Sequence, residues 1–354
     1  MKNRYSRQEI LPEIGVGGQE KIGTASILCI GAGGLGCPAL LYLAAAGIGR
    51  IGIVDFDTVD ESNLQRQILF TTDQIGQNKA TAAKARLNAL NPQITITAHQ
   101  EELSDKNALT LFENYDLIID GSDNFATKFL INDAAVKTGK AFIYGSILGF
   151  EGQVSVFNHQ GGPCYRCLFP QPPSGHVPNC AEAGVIGAVA GMIGTMQAME
   201  AIKIIVGDKS FTPLTGKLVC LDMRTMDNKT LTLPKNPDCP VCSKSPQDIA
   251  LKYTSPTCGV IPQITAQDMR AHKTALLIDV RETAEWEAGH IGGAQHFALS
   301  RLTSGACPDI PKNHEIILYC QKGIRSKQAA QILQDKGYET LSSLHGGYDA
   351  WLNL

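Results

Sequence analysis

The sequence has little net charge and few charged residues, and this excludes two classes of protein. Of its 354 residues, 18% are charged and 44% are hydrophobic, and the formal net charge at pH 7 is -3. Intrinsically disordered chains combine low hydrophobicity with high net charge, and nucleic-acid-binding domains carry a marked basic excess. The composition therefore predicts a folded protein that has no broad electrostatic attraction to nucleic acid.

The sequence also lacks a secretory signal and a clear membrane span. The first ten residues, MKNRYSRQEI, are polar and contain no apolar core, so we expect a cytoplasmic protein. Residues 183–199 carry no charge, but this stretch is shorter than the ~18 to 20 residues that a span needs. Because Glu200 and Lys203 continue its helical pattern, we expect a buried core helix and no membrane partner.

Length and hydrophobic patterning predict two domains, since no internal repeat or low-complexity tract is present. Residues 1–243 show the order strand, glycine-rich turn, helix and strand, followed by further strands. This order predicts a doubly wound, Rossmann-like α/β domain with a mixed sheet. Residues 244–258 lie in a stretch rich in Pro, Cys and Ser and are predicted to be a linker. Residues 259–354 predict a second, smaller α/β domain.

A glycine-rich turn indicates a nucleotide site in the first domain. The segment LCIGAGGLG, residues 28–36, places glycines at 31, 33 and 36 between a predicted strand and a predicted helix. Backbone N–H groups and the helix N-terminus at such a turn bind phosphate, and Asp55 at the end of the next strand is placed to bind ribose hydroxyls. These features alone do not distinguish NAD from ATP.

Polar residues after Asp55 favour a nucleoside triphosphate. Arg66 and Lys79 are suited to neutralise phosphoryl charge, and Asp123, near the carboxyl end of a later predicted strand, is suited to bind Mg2+. The alternative is that Arg66 and Lys79 are ordinary surface cations and that Asp123 caps the following helix. Taken together, the residues favour ATP with Mg2+.

The eleven cysteines are a second functional signal, because a reducing cytoplasm disfavours a disulfide framework. Two C-x-x-C pairs, CYRC and CPVC, offer the four thiolates of a tetrahedral Zn2+ shell, which is a closed site with a structural role. The alternative is two unrelated redox or packing pairs. The four predicted zinc ligands are Cys164, Cys167, Cys239 and Cys242.

Two further cysteines have the surroundings of reactive thiols. Cys180 precedes the long apolar helix, and the dipole of that helix favours a thiolate. Two alternatives stay open for Cys180: a catalytic thiol and a passive thiol in a loop. Cys320 ends a predicted buried strand, and its loop carries two cations and a glycine ahead of a helix expected to begin near Ser326. Such a loop stabilises an anion on sulfur. Its residues are Cys320, Gln321, Lys322, Gly323, Ile324 and Arg325.

The motifs GAGGLG, DFDTVDESNLQRQ and DNF, within residues 4–243, resemble those of the ATP-dependent adenylyltransferases that activate ubiquitin-like sulfur carriers, the family of the molybdopterin-synthase and thiamine-biosynthesis activating proteins. The resemblance implies that Asn63, Arg66 and Lys79 act on the phosphates of ATP and that Asp123 binds Mg2+. The residues expected to contact ATP are Gly31, Gly33, Gly34, Gly36, Asp55, Asp57, Ser62, Asn63, Leu64, Gln65, Arg66, Gln67, Lys79, Asp123 and Asn124.

The same resemblance has three further implications. It supports zinc at the two C-x-x-C pairs. It implies a homodimer, in which Arg7 of the segment RYSRQ reaches into the site of the other subunit. Cys180 aligns with a cysteine that forms a covalent link with the carrier in several family members.

The second domain, from about Thr257, resembles a rhodanese through the segments LIDVRETAEWEAGHIGGAQH and CQKGIRS. The resemblance implies a persulfide on Cys320, stabilised by Arg325 and the amides of the loop. Asp279 and Arg281 are then expected to be structural, and His290 to pack rather than to catalyse.

The two resemblances together predict one reaction sequence. The first domain would form an acyl-adenylate on the C-terminal Gly-Gly of a small carrier, and the Cys320 persulfide would then supply sulfur to make a thiocarboxylate. A cysteine desulfurase or thiosulfate would supply that sulfur, and the product would serve molybdopterin or thiamine biosynthesis. The alternatives are an NAD-dependent oxidoreductase fused to a sulfurtransferase and an inactive carrier-binding scaffold.

Overall fold

The computed structural model describes residues 4–173, 184–251, 261–269, 272 and 274–352. These residues divide into two compact units, the first within residues 4–172 and 184–251 and the second from residue 261 to residue 352. Each unit has its own sheet and its own hydrophobic core. The predicted fold class, two α/β units of which the larger has a mixed sheet, is confirmed.

The first unit is built on an eight-stranded sheet, numbered here in chain order. The strands lie in the order 3-2-1-4-5-6-7-8, with parallel pairs up to the fifth strand and antiparallel pairs beyond it. From the first strand the chain adds the second and third strands on one side and then the fourth and fifth strands on the other. The strand order therefore switches between the first and fourth strands, which is where doubly wound folds bind their ligands. The strands are β1 (Ser26–Ile30), β2 (Arg50–Val54), β3 (Thr95–His99), β4 (Leu117–Asp120), β5 (Ala141–Leu148), β6 (Glu151–Phe157), β7 (Lys217–Asp222) and β8 (Asp227–Thr232).

Helices pack against this sheet, and two of them begin directly after an asparagine that caps them. Asn78 and Asn124 cap these two by accepting hydrogen bonds from the N–H groups of Thr81 and Thr127, which satisfies donors at the helix start. The helices are α1 (Ser6–Glu9), α2 (Gly15–Thr24), α3 (Gly36–Ala46), α4 (Lys79–Leu90), α5 (Ala108–Glu113), α6 (Phe125–Thr138), α7 (Tyr165–Leu168) and α8 (Gly187–Val206).

The long apolar helix α8 packs within the first unit. Its length and composition would allow it to cross a membrane, but half of it is buried within the protein. The amide of Gln197, near its middle, is buried and donates to the carbonyl oxygens of Asp120 at 2.8 Å and Ile143 at 3.1 Å. The buried Glu200 accepts the N–H of Leu214 at 2.8 Å. These bonds tie α8 to the sheet, as expected of a core helix.

The second unit has a parallel five-stranded sheet in the order 11-10-12-13-9. The helix after Cys320 begins at Ile324 rather than near Ser326, because Gly323 has a φ of +87° and turns the chain into the helix. The elements are β9 (Gln263–Ile264), α9 (Ala266–Met269), β10 (Leu276–Asp279), α10 (Thr283–Glu287), β11 (Gln295–His296), α11 (Leu299–Thr303), β12 (Glu315–Tyr319), α12 (Ile324–Asp335), β13 (Thr340–Leu344) and α13 (Gly347–Leu352).

Candidate active sites

A cleft in the first unit lies at the carboxyl ends of β1, β2 and β4. This is the crevice in which doubly wound sheets bind nucleotides. Most of the predicted ATP contacts meet there although they are distributed over more than 90 positions of the chain. Those that line the cleft are Gly31, Gly33, Gly34, Asp55, Asp57, Arg66, Gln67, Lys79, Asp123 and Asn124.

The other predicted contacts do not line the cleft. Gly36 is the first residue of α3 and packs against the turn. Asp60 accepts the N–H of Ser62 at 2.8 Å and so caps a short 3-10 helix, Glu61–Asn63. The carbonyl of Gln65 packs against Gly187 of α8. The predicted contacts outside the cleft are Gly36, Ser62, Asn63, Leu64 and Gln65.

Packing within the protein requires glycine at some positions of the turn and not at others. Gly31 has a φ of +92°, and a Cβ there would lie only 2.8 Å from the carbonyl oxygen of Gly121. A Cβ on Gly36 would collide with the carbonyl oxygen of Gly31, so these two glycines allow β1, α3 and the end of β4 to pack closely. A Cβ on Gly33 would meet no protein atom nearer than 3.8 Å. Protein packing therefore does not require glycine at position 33, whereas a phosphate held against the backbone would.

The turn also presents hydrogen-bond donors without partners. Within the described residues, no group accepts the backbone N–H of Gly33, Gly34 or Leu35. The N–H of Ala32, in contrast, donates to Asp55 Oδ2 at 2.8 Å. Three free N–H groups just before the N-terminus of α3 form a site suited to phosphate.

We expect Gly33→Ala to fold normally and to bind ATP at least about tenfold more weakly. An added methyl group would hold phosphate away from the turn, and a hydrogen bond to a charged group contributes about 1.5 to 3 kcal/mol. Gly36→Ala should instead destabilise the protein by about 1 to 3 kcal/mol, because it overpacks the turn. Calorimetric titration with ATP and thermal unfolding measure the two effects. Wild-type ATP affinity in Gly33→Ala would contradict a phosphate site at this turn.

The carboxylate of Asp55 is held at the end of β2. It is buried, and its two oxygens accept the N–H groups of Ala32 at 2.8 Å and Asp57 at 2.9 Å. Burial raises the pKa of this carboxyl, while the Ala32 hydrogen bond and the charge of Lys79 oppose the rise. A carboxylate has about four acceptor positions, so Asp55 retains capacity for ribose hydroxyls.

Both cations that the sequence predicted for the phosphates, Arg66 and Lys79, line the cleft. Lys79, the first residue of α4, has a side chain that is 7% exposed, and its Nζ lies 3.1 Å from Asp57 Oδ2. The alternative of an ordinary surface cation is therefore wrong for Lys79. Arg66 is half-buried, and its Nη1 donates to the carbonyl oxygen of Ser62 at 3.1 Å. The aliphatic part of Arg66 lies against Gly34, which brings the cation to the glycine turn.

Asp123 is not the cap of helix α6. The cap is Asn124, whose side chain accepts the N–H of Thr127 at 2.9 Å, so the capping alternative for Asp123 is wrong. The carboxylate of Asp123 is exposed on the cleft and has no hydrogen-bond or ion-pair partner among the described residues. One free carboxylate beside a phosphate site is the donor set with which proteins hold Mg2+ against a nucleotide.

Sequence reasoning missed Lys128, which also lines the cleft. Its side chain is 6% exposed, and its Nζ lies 3.0 Å from the fully buried carboxylate of Asp120. A lysine on a helix is normally exposed, and nothing in the surrounding segment FATKFL marks this one as different. Its position four residues after the cap Asn124, on the same face of the first turn, is the available signal.

The four paired cysteines meet in the first unit. The Sγ atoms of Cys164 and Cys239 are 3.5 Å apart, those of Cys167 and Cys242 are 3.5 Å apart, and all four lie within 4.8 Å of one another. A tetrahedron with Zn–S bonds of 2.3 Å places its sulfurs about 3.8 Å apart, so the cluster fits Zn2+. Burial raises the pKa of the Cys164 thiol above its usual range and that of Cys242 to about 12. Coordination of Zn2+ by these sulfurs would favour their ionised form.

We expect the purified protein to contain about one zinc ion per chain, and Cys239→Ser to lose the ion and to unfold at a lower temperature. The thiolates join residues 164–167 to residues 239–242, so loss of the metal releases that link. Elemental analysis and thermal unfolding test this, with Cys220→Ser, a half-buried cysteine outside the cluster, as the control. Metal-free protein with wild-type stability would contradict the assignment.

Cys320 lies at the end of β12 in the second unit. Its side chain is buried, and its sulfur accepts the backbone N–H of Gly323 at 3.2 Å and the hydroxyl of Ser326 at 3.6 Å. The hydroxyl of Ser326 is itself 2.8 Å from that of Ser343. The loop N–H and the start of α12 are therefore directed at the sulfur, as expected for a site that carries an anion.

Arg325 is engaged by a residue that sequence reasoning missed. Its guanidinium forms a two-bond ion pair with Glu285, at 2.7 and 2.6 Å. Arg325 holds the pKa of Glu285 at about 2, well below its usual range. The hydrogen bonds to Glu285, followed by the interaction with Cys320, raise the pKa of Arg325. The expected role of Arg325 in stabilising a persulfide stays a prediction. Lys322 is exposed on the same loop.

The other signature residues of the second unit have structural positions. Asp279 and Arg281 form a buried ion pair at 2.7 Å, and Arg281 also donates to Gln321 Oε1 at 3.0 Å. His290 stacks on the ring of Trp286, with ring centroids 3.6 Å apart. The pair therefore supports the loop after Cys320, and His290 packs against an aromatic ring.

Two predicted functional residues remain predictions. Arg7 is exposed on α1. Cys180 lies outside the described residues.

Comparisons with known proteins cover both units. Residues 5–241 match the ThiF family, and residues 263–354 match the rhodanese-like domain. The chain is 42% identical to the probable adenylyltransferase/sulfurtransferase MoeZ of Mycobacterium tuberculosis, over 98% of this chain and 92% of that protein. It is 47% identical to the sulfur carrier protein adenylyltransferase of Thermus thermophilus, over 73% of this chain and 97% of that protein.

A solved structure shares the fold. The crystal structure of MccB of E. coli with ATP aligns with 69% of this chain and 75% of its own, with a TM-score of 0.61 and 24% sequence identity. At that identity the likeness supports the architecture and not a particular substrate.

Proposed function

Since the chain belongs to the ThiF family and carries a rhodanese-like domain, we propose that it adenylates the C-terminal glycine of a small ubiquitin-like sulfur carrier and converts that glycine to a thiocarboxylate. Its relatives are adenylyltransferases and sulfurtransferases, and it is an enzyme with domains of both kinds. One observation carries the proposal. A single cleft combines the N–H groups of Gly33, Gly34 and Leu35, the cations Arg66 and Lys79, and the carboxylate of Asp123, and among the described residues neither those N–H groups nor that carboxylate has a partner.

The first step is attack by a glycine carboxylate oxygen of the carrier on the α-phosphorus of ATP, and pyrophosphate leaves. The nucleophile is already ionised, so no general base is needed. The residues of the cleft bind and orient the phosphates: the N–H groups of Gly33 and Gly34 and the charges of Arg66 and Lys79 stabilise the negative charge that develops there. Mg2+, held by Asp123, would add positive charge at the same phosphates.

The second step transfers sulfur. The terminal sulfur of a Cys320 persulfide attacks the acyl carbon, and AMP leaves, so that the carrier is joined to Cys320 through an acyl disulfide. Attack by a thiol on the Cys320 sulfur then releases the thiocarboxylate and leaves a disulfide on Cys320, which a further thiol reduces. Cys180 is proposed to act between the two steps through an acyl or acyl-disulfide link to the carrier. In this scheme the N–H of Gly323 stabilises the anionic sulfur on Cys320.

Further parts of the proposal come from the resemblance. The protein is cytoplasmic and acts as a homodimer in which Arg7 completes the site of the other subunit. Its sulfur comes from a cysteine desulfurase or from thiosulfate, and its product serves molybdopterin or thiamine biosynthesis. Membership of the ThiF family removes the support for an NAD-dependent oxidoreductase, since only the glycine turn and Asp55 favoured it.

Isotope exchange of pyrophosphate into ATP tests the adenylation step. Exchange should require the full-length protein, Mg2+ and a carrier ending in Gly-Gly, and a carrier lacking its last glycine is the matched control. Mass spectrometry of the carrier, after addition of a sulfur donor, should then show one oxygen replaced by sulfur. Absence of exchange with every Gly-Gly carrier of the source organism would overturn the proposal.

A further inference from the structure

Lys128 lies beneath the cleft with every donor of its ammonium group in use. Its Nζ donates to Asp120 Oδ2 at 3.0 Å, to the carbonyl oxygen of Ser122 at 2.9 Å and to that of Gly145 at 2.8 Å. A lysine ammonium has three N–H donors, so all three are satisfied within the protein. Lys128 therefore cannot donate to a phosphate unless one of these bonds breaks, although it lines the cleft.

Two of the three acceptors of Lys128, Asp120 and Ser122, lie at the turn that carries Asp123. Asp120 Oδ1 accepts the N–H of Ser122 at 3.0 Å and its hydroxyl at 2.5 Å, so Asp120, Ser122 and Lys128 form one closed network. Gly145 lies on β5, and its bond to Lys128 ties the turn to the neighbouring strand. The network thus joins α6, β4 and β5 at the edge of the cleft.

The same turn packs against the glycine turn. The N–H of Gly121 donates to the carbonyl oxygen of Ile30 at 2.8 Å, and its own carbonyl lies so close to Gly31 that a Cβ there would be only 2.8 Å away. The carboxylate of Asp123 itself has no partner among the described residues. Its position relative to the phosphate site is therefore set by the backbone of this turn.

We propose that Lys128 is a positioning residue for the metal of the adenylation reaction: it fixes the turn from Asp120 to Asp123 and thereby holds the Asp123 carboxylate at the cleft. The inference rests on the proposed function in assigning a divalent cation to Asp123. It adds a residue that acts through the turn and does not contact the nucleotide. Loss of a group that orients a metal ligand weakens metal affinity about 10- to 100-fold.

The test is direct binding of Mn2+ to the full-length protein in the presence of a non-hydrolysable ATP analogue, followed by the electron paramagnetic resonance signal of free Mn2+. Lys128→Met should weaken Mn2+ binding by about 10- to 100-fold. Affinity for the ATP analogue in EDTA should stay within about twofold of wild type, since Lys128 does not touch the nucleotide. Lys137→Met is the matched control, because Lys137 lies on the same helix and donates to a backbone carbonyl, that of Ile249.

Two further variants separate positioning from loss of folding. Lys128→Met leaves Asp120 as a buried charge without a partner, so Asp120→Asn/Lys128→Met removes both charges and should fold while keeping the Mn2+ defect. Lys128→Arg keeps the charge and several donors and should restore part of the affinity. Unchanged Mn2+ affinity in the folded double variant would overturn the inference. An equal loss of analogue affinity in EDTA would overturn it too, because Lys128 would then contact the nucleotide.

Failure of the inference and failure of the proposed function give different results. If wild type binds Mn2+ with the analogue and the Lys128 variants bind it equally well, the inference alone is wrong. If wild type binds no Mn2+ with the analogue, the metal role of Asp123 is wrong, and the inference is wrong with it.

Discussion

Asp123→Ala is expected to abolish carrier-dependent exchange of pyrophosphate into ATP. The Asp123 carboxylate lines the cleft beside the phosphate site, has no partner in the part of the chain that the structure describes, and is the proposed ligand of Mg2+. A metal ion at the phosphates stabilises the transition state by several kcal/mol, and each 1.36 kcal/mol corresponds to about tenfold in rate. We therefore expect exchange to fall by at least about 100-fold, measured with labelled pyrophosphate at saturating ATP and carrier.

Asp105→Ala is the matched control, because Asp105 is an exposed aspartate of the same unit outside the cleft. It should exchange pyrophosphate at the wild-type rate. Asp123 is exposed and caps no helix, so its alanine variant should also unfold at the wild-type temperature. Wild-type exchange by Asp123→Ala would show that the Mg2+ ligand lies elsewhere. A large loss of stability would show that the residue is structural.

Cys320→Ala is expected to stop thiocarboxylate formation and to leave pyrophosphate exchange unchanged. The sulfur that would carry the persulfide is removed, so sulfur transfer should fall to background. The adenylation cleft belongs to the other unit and contains no residue of the Cys320 loop. Carrier mass, measured after incubation with ATP and thiosulfate or a desulfurase, reports the first effect, and isotope exchange reports the second.

Cys307→Ala provides the comparison, since Cys307 is an exposed cysteine of the same unit with no place in the loop. Both activities should survive that change. Cys320→Ser keeps the size of the buried side chain, accepts the same loop N–H, and should be as inactive in sulfur transfer as the alanine variant. Full sulfur transfer by either Cys320 variant would remove the persulfide from the mechanism.

The parts of the site that were predictable from the sequence depend on neighbours along the chain. Gly31 and Gly36 are five positions apart. The turn between them requires a positive φ at Gly31 and leaves no room for a Cβ on Gly36, and both requirements arise within this short segment. Every residue of the strand before that turn is buried, and all of them after Ser26 are apolar, because both faces of the strand are covered. Cys320 and Gly323 likewise lie within one turn of the chain, and their contact is a local consequence of the loop.

The parts that were wrong or missed depend on partners in other elements of the fold. Lys79 was open to being a surface cation until its burial beside Asp57 was seen, and Glu285 binds Arg325 across 40 positions. Lys128 has the surroundings of an ordinary helical lysine, but its partner Asp120 comes from a different element. No periodicity or spacing encodes such contacts, because they arise when strands and helices pack.

Local chain chemistry therefore accounts for the strands, the glycine turn, the two C-x-x-C pairs and the Cys320 loop, since each needs only short-range sterics and hydrogen bonding. Tertiary packing decided which cysteines share a site. It also decided which cations are paired with a carboxylate before any ligand binds. Cys164 and Cys239 are separated by 75 positions, yet their sulfurs are 3.5 Å apart. That distance is produced by the burial of their segments against one core, which is a property of the whole unit rather than of either segment.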